Sequence, residues 1–135
     1  QLRDIIKYAS IIEREAILDE ERSKVAAVIY NRLEKGMKFQ MCSTVQYVLG
    51  KQKDNLTYAD LEIDSPYNSY KYKDIPGPIC SPGMASIRAA FYPSDADYLY
   101  FVASGKLDGT SNFSSDYNQF LKDKAAYDKA YRAAH

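Results

Sequence analysis

Apolar residues recur at every third or fourth position through the first 17 residues, at Leu2, Ile5, Ala9, Ile12 and Ala16. That period predicts an amphipathic helix over residues 2 to about 17. A second helical pattern follows Asp19 and runs through Val25, Val28, Ile29 and Leu33. Asp19 is its predicted N-cap, with Glu20 and Glu21 well placed in the first turn, and Gly36 is its predicted stop. Met37 to Met41 reads as extended. Ser43 is the predicted cap of a brief helix through Val45 and Leu49, ended by Gly50. Thr57 to Leu61 reads as one more helical turn.

Between Ile63 and Pro82 the periodicity is lost. Pro66, Pro76, Pro78, Pro82 and Gly77 break regular structure, and Tyr67, Tyr70 and Tyr72 punctuate the stretch. A loop of about 18 residues inside a domain is uncommon and points to function, and its aromatic content argues against disorder. Ser81 and Pro82 then supply an N-cap and a first-turn proline for a helix through Met84, Ile87 and Ala90 that ends at Pro93. Tyr98 to Ala103 has the clearest strand pattern. Gly105 to Gly109 reads as a turn, and Ser111 to Ser114 as the returning strand. A last helix follows Ser115 and carries Tyr117, Phe120, Leu121 and Tyr127. The predicted class is α+β: one mostly helical domain with a small antiparallel sheet and a long Pro/Tyr-rich loop.

Composition narrows the function. The 135 residues carry 18 Lys and Arg against 18 Asp and Glu, which gives no net charge and argues against a nucleic-acid partner. Neutral polymers such as glycans remain open. The chain has 13 Tyr and no Trp. A tyrosine face suits a polar, ring-shaped ligand, and it equally suits the periphery of a core. Cys42 and Cys80 make no zinc site, and no metal spacing, phosphate loop or Ser-His pair is present; His135 is the sole histidine and is terminal. The two cysteines read either as buried free thiols or as a disulfide closing a loop of about 40 residues, worth about 3–4 kcal/mol. No stretch is long and apolar enough to span a membrane. The chain opens at Gln1 inside a periodic segment, which has the look of a piece of something longer.

Placed on a helical wheel at 100° per residue, Glu13 is the one charged side chain inside the apolar arc of the first helix, whereas Glu15 falls on the polar, solvated side. A carboxylate in an apolar setting either finds a cation, here Arg32 or Arg88, or takes a proton. A carboxylic acid held protonated is what a general acid needs. No second acid has the same character, since Asp60, Glu62 and Asp64 read as a solvated edge. Two-carboxylate hydrolysis of a glycosidic bond therefore lacks its second group.

The segments ASIIEREA (9–16), ERSKVAAVIYNRLEKGM (21–37), FQMCSTVQYVLG (39–50), LTYADL (56–61), SPYNSYKY (65–72), PGPICSPGMASIRAA (76–90) and DYLYFVA (97–103) together resemble the YceG-like (MltG-type) endolytic murein transglycosylases. The resemblance runs through nearly the whole chain in order. It implies that residues 1–135 form the catalytic domain of a longer protein, anchored at the outer face of the bacterial cytoplasmic membrane. It implies cleavage of peptidoglycan strands between N-acetylmuramic acid and N-acetylglucosamine without water, leaving 1,6-anhydro ends, with Glu13 as the single acid/base. Gln40, Thr44, Tyr67, Asn68 and Tyr70 would line the substrate groove. No cofactor or metal is implied. Glycan polymerases of the penicillin-binding class are implied partners. Cys42 and Ser43 stand where relatives often read Asp-Pro, and Ser111 and Phe120 where they often carry His. Those departures are expected to weaken activity or alter specificity if the groups tune the acid. The rival expectation is a module that binds peptidoglycan or a partner enzyme without cleaving.

Overall fold

A computed structural model of the chain describes residues 2–51 and 56–135. Gln1 lies outside them. Helix α1 spans Leu2–Glu15, two residues short of the predicted end. The chain leaves the helix there because Leu18 is extended and Asp19–Glu21 close a single 3-10 turn. Asp19 is therefore not the cap of the next helix; it sits in the turn and pairs with Arg22 at 2.9 Å. Helix α2 (Arg22–Lys35) ends as predicted at Gly36, whose φ of 71° requires the left-handed region that glycine enters freely.

Helix α3 spans Cys42–Leu49 and starts after Met41, so Ser43 lies inside its first turn and is not its cap. Helix α4 (Tyr58–Leu61) is held by a reciprocal capping box between Thr57 and Asp60. Helix α5 (Met84–Phe91) is capped at Gly83, not at Ser81-Pro82. The reason is tertiary: the carboxylate of Glu13 reaches across and accepts the Gly83 N–H. Strands β1 (Tyr100–Ala103) and β2 (Ser111–Ser114) form a two-stranded antiparallel sheet, with Phe101 opposite Phe113. Helix α6 (Tyr117–Ala134) follows. Asp116 caps it by accepting the N–H groups of Asn118 and Gln119. The fold is thus α+β and mostly helical, as the pattern predicted.

The core lies where α1 packs on α2 and α5. Ile11, Ile12, Val25, Val28 and Ile29 fill it, and Ala9, Ala26, Ala89 and Ala90 let the helices approach closely. Phe39, Met41, Ile75 and Ile79 extend it under the long loop. That loop has no regular structure, but its turns are tied down by the fully buried Asn68 and Ser69. Asn31 holds the approach to β1 by donating to the carbonyls of Ala96 and Tyr98. Helix α6 buries none of its residues and leans on the sheet through the stack of Phe120 on Tyr100. Its cap therefore matters: Asp116→Ala is expected to cost about 1 kcal/mol, read as a lowered midpoint in urea unfolding.

Candidate active site

The last turn of α1 carries two carboxylates that meet the N-terminal ends of two other helices. Glu13 faces α5. Its Oε1 accepts the Gly83 N–H at 2.9 Å and the Ser86 hydroxyl at 2.9 Å, with Arg22 Nη1 at 3.7 Å. Arg22 also donates to the Ser86 hydroxyl at 2.6 Å. The Gly83 amide, then the Ser86 hydroxyl, outweigh the modest burial and hold Glu13 below the ordinary carboxylate value. This reverses the expectation of a protonated Glu13. The wheel located the side chain correctly but not the donors opposite it, and its cation is Arg22 instead of Arg32 or Arg88.

Glu15 faces α3. Its carboxyl is enclosed, not solvated as the wheel indicated, and burial raises its affinity for a proton. The Ser43 side chain and the Ser43 N–H, which donates to Oε2 at 2.9 Å, act in the opposite sense and do not overcome that burial. Of the two acids, Glu15 is therefore the one poised to carry a proton.

Each acid borders a different cavity. Glu13 lines one of about 630 Å³ with Arg14, Ser43, Gln46, Tyr47 and Ile79. Glu15 lines a groove of about 570 Å³ whose walls include Gln40, Cys42, Tyr70, Tyr100, Tyr117, Phe120 and Lys124. Among the described residues that line this groove, Glu15 is the only carboxylate. Both volumes fit sites for small ligands.

The predicted groove residues divide. Gln40 and Tyr70 line the groove. Gln40 is exposed and holds a φ of 53°, a conformation costing a non-glycine residue about 1 kcal/mol and often found at functional sites. The Tyr70 hydroxyl lies 3.3 Å from the Cys42 sulfur, and burial pushes both groups up, so both stay protonated. Thr44, Asn68 and Tyr67 line neither cavity. Thr44 is fully buried, and its hydroxyl bonds the Met41 carbonyl and Ser69. Asn68 is fully buried and donates to the carbonyls of Leu61 and Ile63. Tyr67 packs its ring on Tyr47 at 5.0 Å and lines neither cavity. Polar side chains in a loop read alike in sequence whether they face a ligand or close the loop's own backbone bonds.

Cys42 and Cys80 are free thiols; Cys80 donates to the Ser10 carbonyl. Of the four positions set apart by their departure from the family pattern, Cys42, Ser111 and Phe120 line the Glu15 groove, and Ser43 lines the other cavity. Sequence reasoning offered Arg32 only as a cation for Glu13; its buried guanidinium instead donates to the carbonyls of Leu99, Lys38 and Phe39 and lies 5.2 Å from the Tyr100 ring. It joins α2 to the groove floor. Tyr100, Tyr117 and Lys124 were missed, because only the packing of α6 on the sheet brings them to Glu15. Among the described residues no cluster could hold a metal ion, and no helix is long and apolar enough to cross a membrane.

The ionised state of Glu13 has a measurable consequence. Folding lowers its proton affinity, so its contribution to stability is complete above the ordinary value of 4.5 and fades as pH falls through the lower folded value. Glu13→Gln is expected to be less stable than the parent at neutral pH, with the gap closing in acid. Urea unfolding at several pH values checks this.

The YceG-like family model matches residues 1–126. The endolytic murein transglycosylase of Bacillus subtilis (strain 168) is 47% identical over 124 residues, which cover 91% of this chain and 34% of that protein. The endolytic murein transglycosylase of Streptococcus pneumoniae serotype 2 is 37% identical over 108 residues, covering 76% of this chain and 20% of that protein. The crystal structure of a YceG-like protein from Listeria monocytogenes superposes with a TM-score of 0.83 at 44% identity, covering 89% of this chain and 39% of that one. The chain thus spans between a fifth and about a third of the length of these curated relatives. By the extent and order of these matches, the chain belongs to the YceG-like family.

Proposed function

We propose that this domain cleaves peptidoglycan glycan strands internally by non-hydrolytic transglycosylation, with Glu15 as the acid and then the base. One observation carries this reading: the enclosed Glu15 carboxyl, with its raised proton affinity, stands as the lone carboxylate among the described residues lining the groove. A hydrolase would want a second carboxylate to activate water. A single acid suffices when the nucleophile belongs to the substrate.

Glu15 gives its proton to the glycosidic oxygen as the bond to the muramyl C1 breaks. The resulting carboxylate then accepts the proton of the C6 hydroxyl while that oxygen bonds to C1. The product carries a 1,6-anhydro ring, no water is consumed, and Glu15 ends protonated. Gln40 and the Tyr70 hydroxyl face the groove and supply hydrogen bonds to sugar hydroxyls and N-acetyl groups. The Tyr117 and Phe120 rings offer apolar faces to the sugar rings. The Glu13 assignment gives way here to Glu15, because Glu13 is held ionised by Gly83 and Ser86.

Such a substrate places the activity on the outer side of the bacterial cytoplasmic membrane, and glycan polymerases are natural partners in strand synthesis. The test is a digest of un-cross-linked strands read by mass spectrometry. Anhydromuramyl ends, one water lighter than hydrolysed ends, are expected. Strand binding with no product would favour the binding-module reading, for which Cys42, Ser111 and Phe120 in the groove are the observation in favour.

A further inference from the structure

The cavity of about 630 Å³ beside Glu13 takes no part in the cleavage chemistry, yet three charged side chains line it: Glu13, Arg14 and Lys51. Glu13 is held from one side only. Its contacts with Gly83, Ser86 and Arg22 all fall on Oε1, and the side chain stays 32% exposed on the cavity wall. Its other oxygen is left to meet a cation. Arg14 and Lys51 are exposed, and among the described residues neither forms an ion pair. Arg14 stands against the Cys80 thiol, which burial keeps protonated, so its charge is not neutralised there. Gln46 adds an amide, Tyr47 a hydroxyl and a ring face, and Ile79 an apolar wall. The lining thus suits a ligand that carries carboxylates, an amine and small apolar groups together.

The place of the cavity in the fold narrows that ligand. It opens between the last turn of α1 and helix α3, where the Ser43 N–H donates to Glu15 at 2.9 Å. Glu15 itself lines the groove, so this contact stands between the two cavities. A muramyl sugar cut at C1 carries its stem peptide on the lactyl group of the same ring. An extended chain spans about 3.3 Å per residue, so a pentapeptide stem reaches roughly 17 Å from the sugar, enough to pass from the groove to the cavity. The stem holds one carboxylate on its D-Glu and one at its C-terminus, an amine on its diamino acid, and alanine methyl groups.

We propose that this cavity seats the stem peptide of the muramyl residue being cut, with Arg14 and Lys51 on its carboxylates and Glu13 on its amine. The proposal deepens the reading of peptidoglycan as the substrate and rests on it. The site lies away from the reacting atoms, so its contribution is to binding and not to the chemical step.

The test compares strands with intact stems against strands stripped of them by an amidase, using the parent and the double variant Arg14→Gln/Lys51→Gln. The parent is expected to show a KM about tenfold lower on stem-bearing strands, and the double variant to lose that advantage with kcat and melting temperature unchanged. The free pentapeptide L-Ala-γ-D-Glu-L-Lys-D-Ala-D-Ala should shift the backbone NMR signals of Gln46, Tyr47 and Ile79. Its counterpart with both carboxylates converted to carboxamides should not. Equal KM on the two kinds of strand overturns the stem site and leaves the cleavage reading standing. A double variant that keeps the preference also overturns it, because the stem is then read elsewhere, as do peptide shifts confined to the groove or equal shifts from the two peptides. If neither strand is cut, the cleavage reading fails and the peptide titration alone decides: shifts at the cavity uphold the stem site, and their absence overturns it.

Discussion

Glu15→Gln is expected to lower strand cleavage by about three orders of magnitude, while Glu13→Gln stays within about tenfold of the parent. Glutamine keeps the shape of the side chain and can still accept the Ser43 N–H, so the fold around α1 and α3 should survive. What it lacks is a proton to give to the leaving oxygen. Glutamine at position 13 can likewise accept the Gly83 and Ser86 donors, and it loses only the weaker attraction to Arg22. The two carboxylates are two residues apart on one helical turn, yet their surroundings push their proton affinities in opposite directions. Single-turnover rates on defined strands, with melting curves to control for folding, check the pair. A Glu13→Gln enzyme that is dead beside an active Glu15→Gln would return the role to Glu13.

The second large effect is on stability. Asn68→Ala should destabilise the domain by about 3 kcal/mol, enough to lower its melting temperature by several degrees. The Asn68 amide donates to the carbonyls of Leu61 and Ile63 at 2.9 and 2.8 Å, and its Oδ1 accepts the Tyr70 N–H at 2.9 Å. All of this happens in a fully buried site. Alanine would leave the Leu61 carbonyl and the Tyr70 amide without these partners, leave the Ile63 carbonyl with the Ser65 N–H alone, and open a small cavity. Because the Tyr70 amide hangs on Asn68, the groove wall should loosen with it, and KM should rise in whatever fraction stays folded. A variant of parental stability with a raised KM would show that Asn68 meets substrate directly. Thermal and urea unfolding together decide between these outcomes.

The contrast between Gln40 and Asn68 marks the limit of reading a loop from its residues. Both are amides beside the Pro/Tyr-rich stretch, and both were predicted to meet substrate. Gln40 is exposed on the groove with an unusual backbone, while Asn68 closes the loop's own hydrogen bonds. Nothing local distinguishes them, because the distinction depends on which carbonyls the fold brings near.

The element order was legible, because an amphipathic period, a left-handed glycine and a capping residue act over a few positions of chain. Helices α1 and α2, the stop at Gly36, the Thr57 turn and the β1–β2 hairpin follow from such local terms. Helix starts at α3 and α5 did not, because carboxylates of α1 serve those ends from distant positions in sequence. The sequence alone also pointed to the last turn of α1 as the place for the chemistry and to a single acid. Which of Glu13 and Glu15 has the raised proton affinity depends on tertiary structure only. A pKa reflects everything within a few ångströms, and the Gly83 amide, Ser86, Arg22 and Ser43 come from outside the helix that carries both residues.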